Sequence, residues 1–84
     1  MQALIDELVA EGKLKSGAAT SLTAKLRAAA QQLERGNVTA GVNQLGSFLN
    51  ELDALVRSGR LAAAEAQALR AAARDVMASA LGGP

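Results

Sequence analysis

The sequence predicts an all-α fold: a compact four-helix bundle of one short helix and three longer ones. Three observations carry that expectation. Alanine and leucine, the strongest helix formers, supply most of the 50% of residues that are hydrophobic. Apolar residues recur at spacings of three and four within four stretches, which gathers them on one side of each helix. Glycines punctuate the stretches at Gly12, Gly36 and Gly59, where a left-handed backbone position stops a helix at low steric cost.

The first helical segment runs from about Met1 to Glu11, with Leu4, Ile5, Leu8 and Val9 on one face. It is too short to persist alone in water, so its stability must come from packing. The second begins near Ser16, whose hydroxyl is suited to capping a free amide of the first turn. It carries Ala19, Leu22, Leu26, Ala29 and Leu33 on a single face. The third has the most regular pattern: Val38, Val42, Leu45, Leu49, Leu52 and Val56 alternate spacings of four and three, as a packed helix seam does. Phe48 and Leu55 widen that seam, which makes this helix central and Phe48 a core residue.

Asn37 is placed to cap the third helix, and the Gly36-Asn37 connection is short enough to make the second and third helices antiparallel neighbours. Gly41 and Gly46 lie inside the third helix, where each costs roughly 1 kcal/mol relative to alanine. Close approach of a neighbouring backbone is the expected offset. The fourth helix spans about Ala62 to Leu81, with Leu69, Ala72 or Ala73, Val76 and Ala80 on its inner side. Residues 1–81 read as a single helical domain, and residues 82–84, Gly82-Gly83-Pro84, as a tail or linker remnant.

One segment occurs twice. Leu8-Val9-Ala10-Glu11-Gly12-Lys13-Leu14 and Leu55-Val56-Arg57-Ser58-Gly59-Arg60-Leu61 share a helix–Gly–[Lys/Arg]–Leu–helix pattern. The register extends outward, pairing Ile5 with Leu52, Asp6 with Asp53, Leu22 with Leu69 and Arg27 with Arg74. The glycine stops a helix, the cation meets the exposed carbonyls of the helix end, and Leu14 and Leu61 turn back into the core. The repeat therefore describes two junctions of a scaffold, not a pair of ligand sites.

Composition excludes several function classes. With 84 residues the chain forms one domain, near the small end of what buries a core unaided. Nine basic residues against eight acidic ones give a net charge of +1, which creates no field to draw nucleic acid or an anionic membrane. No histidine or cysteine is present, so the commonest general base and metal ligand, thiolate zinc sites and cysteine nucleophiles are all ruled out. An enzyme is not expected, and neither is a cofactor or a metal. The carboxylates Asp6, Glu7 and Glu11, and Glu51 with Asp53, remain as acid/base pairs to check, although Glu7 and Glu11 share one solvated helical face. Gly12-Lys13-Leu14-Lys15-Ser16-Gly17 lacks the spacing and the preceding strand of a phosphate loop. No run reaches the roughly 20 apolar residues a membrane-spanning helix needs, so no membrane insertion is expected.

One surface is less ordinary. Opposite the seam of the third helix lie Ala40, Asn43, Ser47, Asn50 and Ala54, small and neutral throughout. Solvent faces of helices normally carry charge. Two readings stand: a neighbouring helix of the same bundle covers this strip, with its amides paired locally, or the strip is a docking face for another domain or another copy.

The stretch Gly36-Asn37-Val38-Thr39-Ala40-Gly41-Val42-Asn43-Gln44-Leu45, continuing through Phe48, Asn50 and Glu51 to Ser58-Gly59-Arg60-Leu61, resembles the FIMAH domain, as does the opening from Leu4-Ile5 to Gly12-Lys13-Leu14-Lys15-Ser16-Gly17. The resemblance covers nearly the whole chain. Ala62, where such domains often place serine, is a departure that removes a capping hydroxyl from the fourth helix, at about 1 kcal/mol. The resemblance implies a non-catalytic accessory module of a large secreted or cell-surface bacterial protein, serving in attachment, spacing or contact with a protein or cell-wall component. It also implies an extracellular location, with any export signal outside this chain. Two alternatives belong to other classes: a helical protein that self-associates as a homo-oligomer through the neutral strip, and an engineered helical scaffold. The interior glycines argue against idealised design.

Overall fold

A computed structural model describes residues 2–82 of the chain. Within them the expected four helices form: α1 (Gln2–Ala10), α2 (Ser16–Glu34), α3 (Val38–Arg57) and α4 (Ala63–Gly82). The predicted tail falls partly outside this range, because Gly83 and Pro84 are not among the described residues, and α4 runs through Gly82. Three helices of about twenty residues are each roughly 30 Å long, which accounts for a body of 36 × 19 × 18 Å.

All three helix-stopping glycines take positive φ, 75° at Gly12, 82° at Gly36 and 76° at Gly59. Their hydrogen bonds are the same at each site. The glycine N–H donates to the carbonyl three residues back, at Val9, Leu33 and Val56, and the next residue's N–H donates to the carbonyl five back, at Leu8, Gln32 and Leu55. This is the Schellman arrangement, which satisfies carbonyls that a helix end otherwise leaves unpaired. The junctions differ in length beyond the glycine. After Gly36 only Asn37 separates it from α3, whereas three residues lie between Gly12 or Gly59 and the next helix. Those longer junctions let Leu14 and Leu61 fold back into the core, where they are almost fully buried.

The helix starts depart from expectation. Lys15, not Ser16, occupies the cap position of α2 and makes no side-chain cap bond. Asn37 does occupy the cap position of α3, but it too makes no cap bond. Its side-chain amide donates instead to Gln32 Oε1 at 3.0 Å. Ala62 accepts from the N–H of Ala66 at the start of α4 and has no hydroxyl to offer. Packing, not capping, fixes where these helices begin.

α3 is central, with its most extensive contacts against α2 and then α4. Its buried stripe is Gly41, Leu45, Phe48, Leu52 and Leu55. That stripe keeps the alternation of four and three but is turned by roughly 60° from the seam of Val38, Val42, Leu45, Leu49, Leu52 and Val56; Val38, Val42, Leu49 and Val56 are only half-buried. Gly41 explains the rotation. A β-carbon there would lie 2.6 Å from Leu33 Cδ2 and 3.3 Å from the Ala29 carbonyl oxygen, so the missing side chain is what lets α2 approach. Gly46 has no such neighbour, with nothing within 4 Å of the equivalent position.

α1 lies across α2 and α4 and delivers Ile5 and Leu8 to a cluster that contains Leu14, Leu22, Phe48, Leu52, Leu55, Leu61, Ala66, Leu69 and Ala73. Phe48, the one aromatic residue, is 0% exposed there. Of the inner residues expected on α4, Leu69 and Ala73 are buried and Val76 is exposed; Ala66 joins the core in its place.

Candidate functional site

The neutral strip of α3 faces solvent. Asn43, Ser47, Asn50 and Ala54 are exposed and Ala40 is half-buried, so no neighbouring helix of the bundle covers them. The reason is the rotation of α3: with Gly41, Leu45, Phe48, Leu52 and Leu55 turned inward, the opposite side of the helix points away from α2 and α4 alike. Ser47 Oγ donates to the Asn43 carbonyl oxygen at 3.3 Å, which turns the hydroxyl back on its own helix. Among the described residues the side-chain amides of Asn43 and Asn50 have no hydrogen-bond partner and remain free to pair outward. At its N-terminal end the strip enters a shallow depression lined by Gly36, Asn37, Val38, Thr39, Ala40 and Asn43. The surface therefore offers paired donors and acceptors, little relief and no charge.

Of the candidate carboxylates, all but Glu7 have a side-chain partner at the surface. Glu51 accepts from Ser21 at 2.9 Å and pairs with Lys25 at 2.7 Å, tying α3 to α2. Asp53 pairs with Arg70 and ties α3 to α4. Glu11 pairs with Lys13, which also reaches Glu65 of α4 at 3.2 Å. The hydrogen bond to Glu65, reinforced by the charges of Glu11 and Glu65, holds the Lys13 ammonium above its ordinary pKa of 10.5. Asp6 accepts from Gln2, and Glu7 is exposed. Among the described residues no side-chain N or O is buried without a partner, and no group of three or more acids is gathered as a metal site. The ion pairs fasten helices together, and Glu7, Glu11 and Glu65 line one small depression of about 180 Å³ between α1 and α4, where Lys13 pairs with both Glu11 and Glu65.

A second surface was not anticipated from the sequence. α1 has nine residues against the nineteen or twenty of its neighbours, so it covers only half of the furrow between α2 and α4. Among the described residues the furrow beyond Gln2 is an apolar groove of about 410 Å³, with Leu26, Ala29, Ala30 and Leu33 on one wall, Leu45 in its floor and Val76 opposite. Arg27 and Gln2 supply its polar edge. The signal was present in the sequence as the mismatch in helix length.

No helix among the described residues is long and apolar enough to cross a membrane. No curated protein and no solved structure matches the chain. The FIMAH domain model matches residues 1–78 of the 84, a span that takes in α1, α2, α3 and most of α4 together with all three glycine junctions. This is a family of small helical accessory domains and not a known enzyme family. The four-helix architecture and the family match agree over nearly the whole chain, which belongs to the FIMAH domain family.

Proposed function

We propose that this chain is a non-catalytic interaction module of a secreted or cell-surface bacterial multidomain protein, and that it docks against another protein or a cell-wall component through the neutral strip of α3. One observation carries the reading: Asn43, Ser47 and Asn50 are exposed on the helix that holds the bundle together, in a strip with no charge. An exposed helical face usually keeps charged side chains for solubility. Side-chain amides on a rigid, uncharged face are readily desolvated and offer both donors and acceptors, as the polar parts of protein interfaces do.

Cosedimentation with intact bacterial cell walls, and calorimetric titration with the domains that flank this module in its parent protein, test the reading. Saturable binding to one of them is expected. The pair Asn43→Arg and Ser47→Glu should abolish it while leaving the helical circular dichroism unchanged. Absence of binding to either partner reduces the module to a spacer, and binding that survives both substitutions moves the docking face elsewhere.

A further inference from the structure

The groove between α2 and α4 lies on a different side of α3 from the neutral strip and calls for different chemistry. Its walls and floor are aliphatic, and it continues the track that α1 fills at the other end of the bundle. Whatever occupies it replaces a missing length of helix, roughly 15 Å if it is to match α2. Val76 and Leu81 are the large hydrophobic side chains left exposed among the described residues, at 37% and 66%. Both belong to the last two turns of α4, and Val76 is itself a wall of the groove. A cavity and an apolar projection thus adjoin one another on the same chain.

We propose that a second copy of this chain occupies the groove, with the final turns of α4 of each copy lying in the groove of the other. A two-fold interface requires one patch that is complementary to itself, and a groove bordered by its own exposed apolar helix meets that requirement. Antiparallel α4 helices bring Leu81 of each copy against the other. Charge favours the same arrangement. The last turn of α4 holds no basic residue, so the negative end of its dipole meets no cation from that turn. The groove's one charged lining residue is Arg27, and α1, whose first turn holds no acid, points its positive end toward it. The net charge of +1 raises no barrier to self-association.

Sedimentation equilibrium of the full chain from micromolar to millimolar concentration tests the proposal. The expected mass rises from that of the 8.5 kDa chain to twice that value. Leu81→Asp should weaken the dimer about tenfold or more without changing stability, because most of that side chain is in water. Val76→Arg should do the same by blocking the groove, and Asn43→Arg on the neutral strip should leave the dimer intact. A single-chain mass across the whole range overturns the proposal and leaves the groove to a helix of another protein. A dimer that persists in Leu81→Asp and Val76→Arg, or one lost in Asn43→Arg, overturns it as well.

Discussion

Near the Gly12 and Gly59 junctions, α1 lies over α2 and α4, and Ile5, Leu8, Leu14, Leu22, Phe48, Leu55 and Leu61 share one cluster. Toward the Gly36 turn no helix among the described residues covers α2 and α4, and Leu45 and Ala29, although buried, lie outside that cluster beneath a groove. The same three helices therefore build a sealed end and an unsealed one, and the length of α1 decides where one gives way to the other. The larger buried cluster lies at the sealed end, while the other end carries the exposed apolar surface.

Truncations should separate the two ends most clearly. Phe48→Ala removes the largest fully buried side chain, in the sealed end, and should cost about 3–5 kcal/mol. That is most of what a domain of this size has, so Phe48→Ala should be largely unfolded by circular dichroism at room temperature. Leu45→Ala lies beside the groove, where its neighbours can relax, and should cost about 2 kcal/mol in a denaturant titration. Equal losses would mean that both ends are packed alike.

Next in size is Gly41→Ala. The new methyl must displace Leu33 and press on the Ala29 carbonyl, an overpacking penalty of about 1–3 kcal/mol that exceeds the helical preference for alanine. At the junctions of the sealed end, Gly12→Ala and Gly59→Ala should each cost about 1–2 kcal/mol, because both positions have positive φ that a β-carbon opposes. Gly46→Ala should have the opposite sign: with open space around it, the variant should gain about 1 kcal/mol and melt higher than the parent.

The smallest effect concerns the Lys13 link to Glu65, which fastens the first long junction to the start of α4. The folded pKa of Lys13 lies above its ordinary value, so its contribution is fully present below pH 10.5 and is lost as pH rises through the higher folded value. Alkaline denaturation curves of the parent should fall more steeply above that point than those of Lys13→Gln, and the two should run in parallel near neutrality.

Much of this architecture was legible in the residues. Gly12, Gly36 and Gly59 marked the helix ends because φ near +75° strongly favours glycine, and Leu14 and Leu61 stood out as anchors through the repeat. The rotation of α3 was not legible, since Val38, Val42, Leu49 and Val56 satisfy the helical period as well as Gly41, Phe48 and Leu55 do. Choosing between the two stripes required knowing that α2 presses Leu33 and Ala29 against Gly41, a contact between elements that periodicity within one helix does not encode. The caps failed for a related reason: Ser16 and Asn37 have the right side chains, but tertiary packing puts Lys15 at the cap of α2 and leaves Asn37, at the cap of α3, without a cap bond. The neutral strip could be read as a pattern, but its exposure depended on that same rotation.

The order in which helices meet also bears on how the chain folds. α2 and α3 are joined through three residues, Arg35, Gly36 and Asn37, and form the most extensive contact, so their hairpin closes the shortest loop and is the natural nucleus. α4 docks next, through its contact with the neighbouring α3. α1 rests on both α2 and α4, and its full seat does not exist until the C-terminal helix has docked. Of the four helices, the first to leave the ribosome is thus the last to settle, and Ile5 and Leu8 stay in water until α4 has docked.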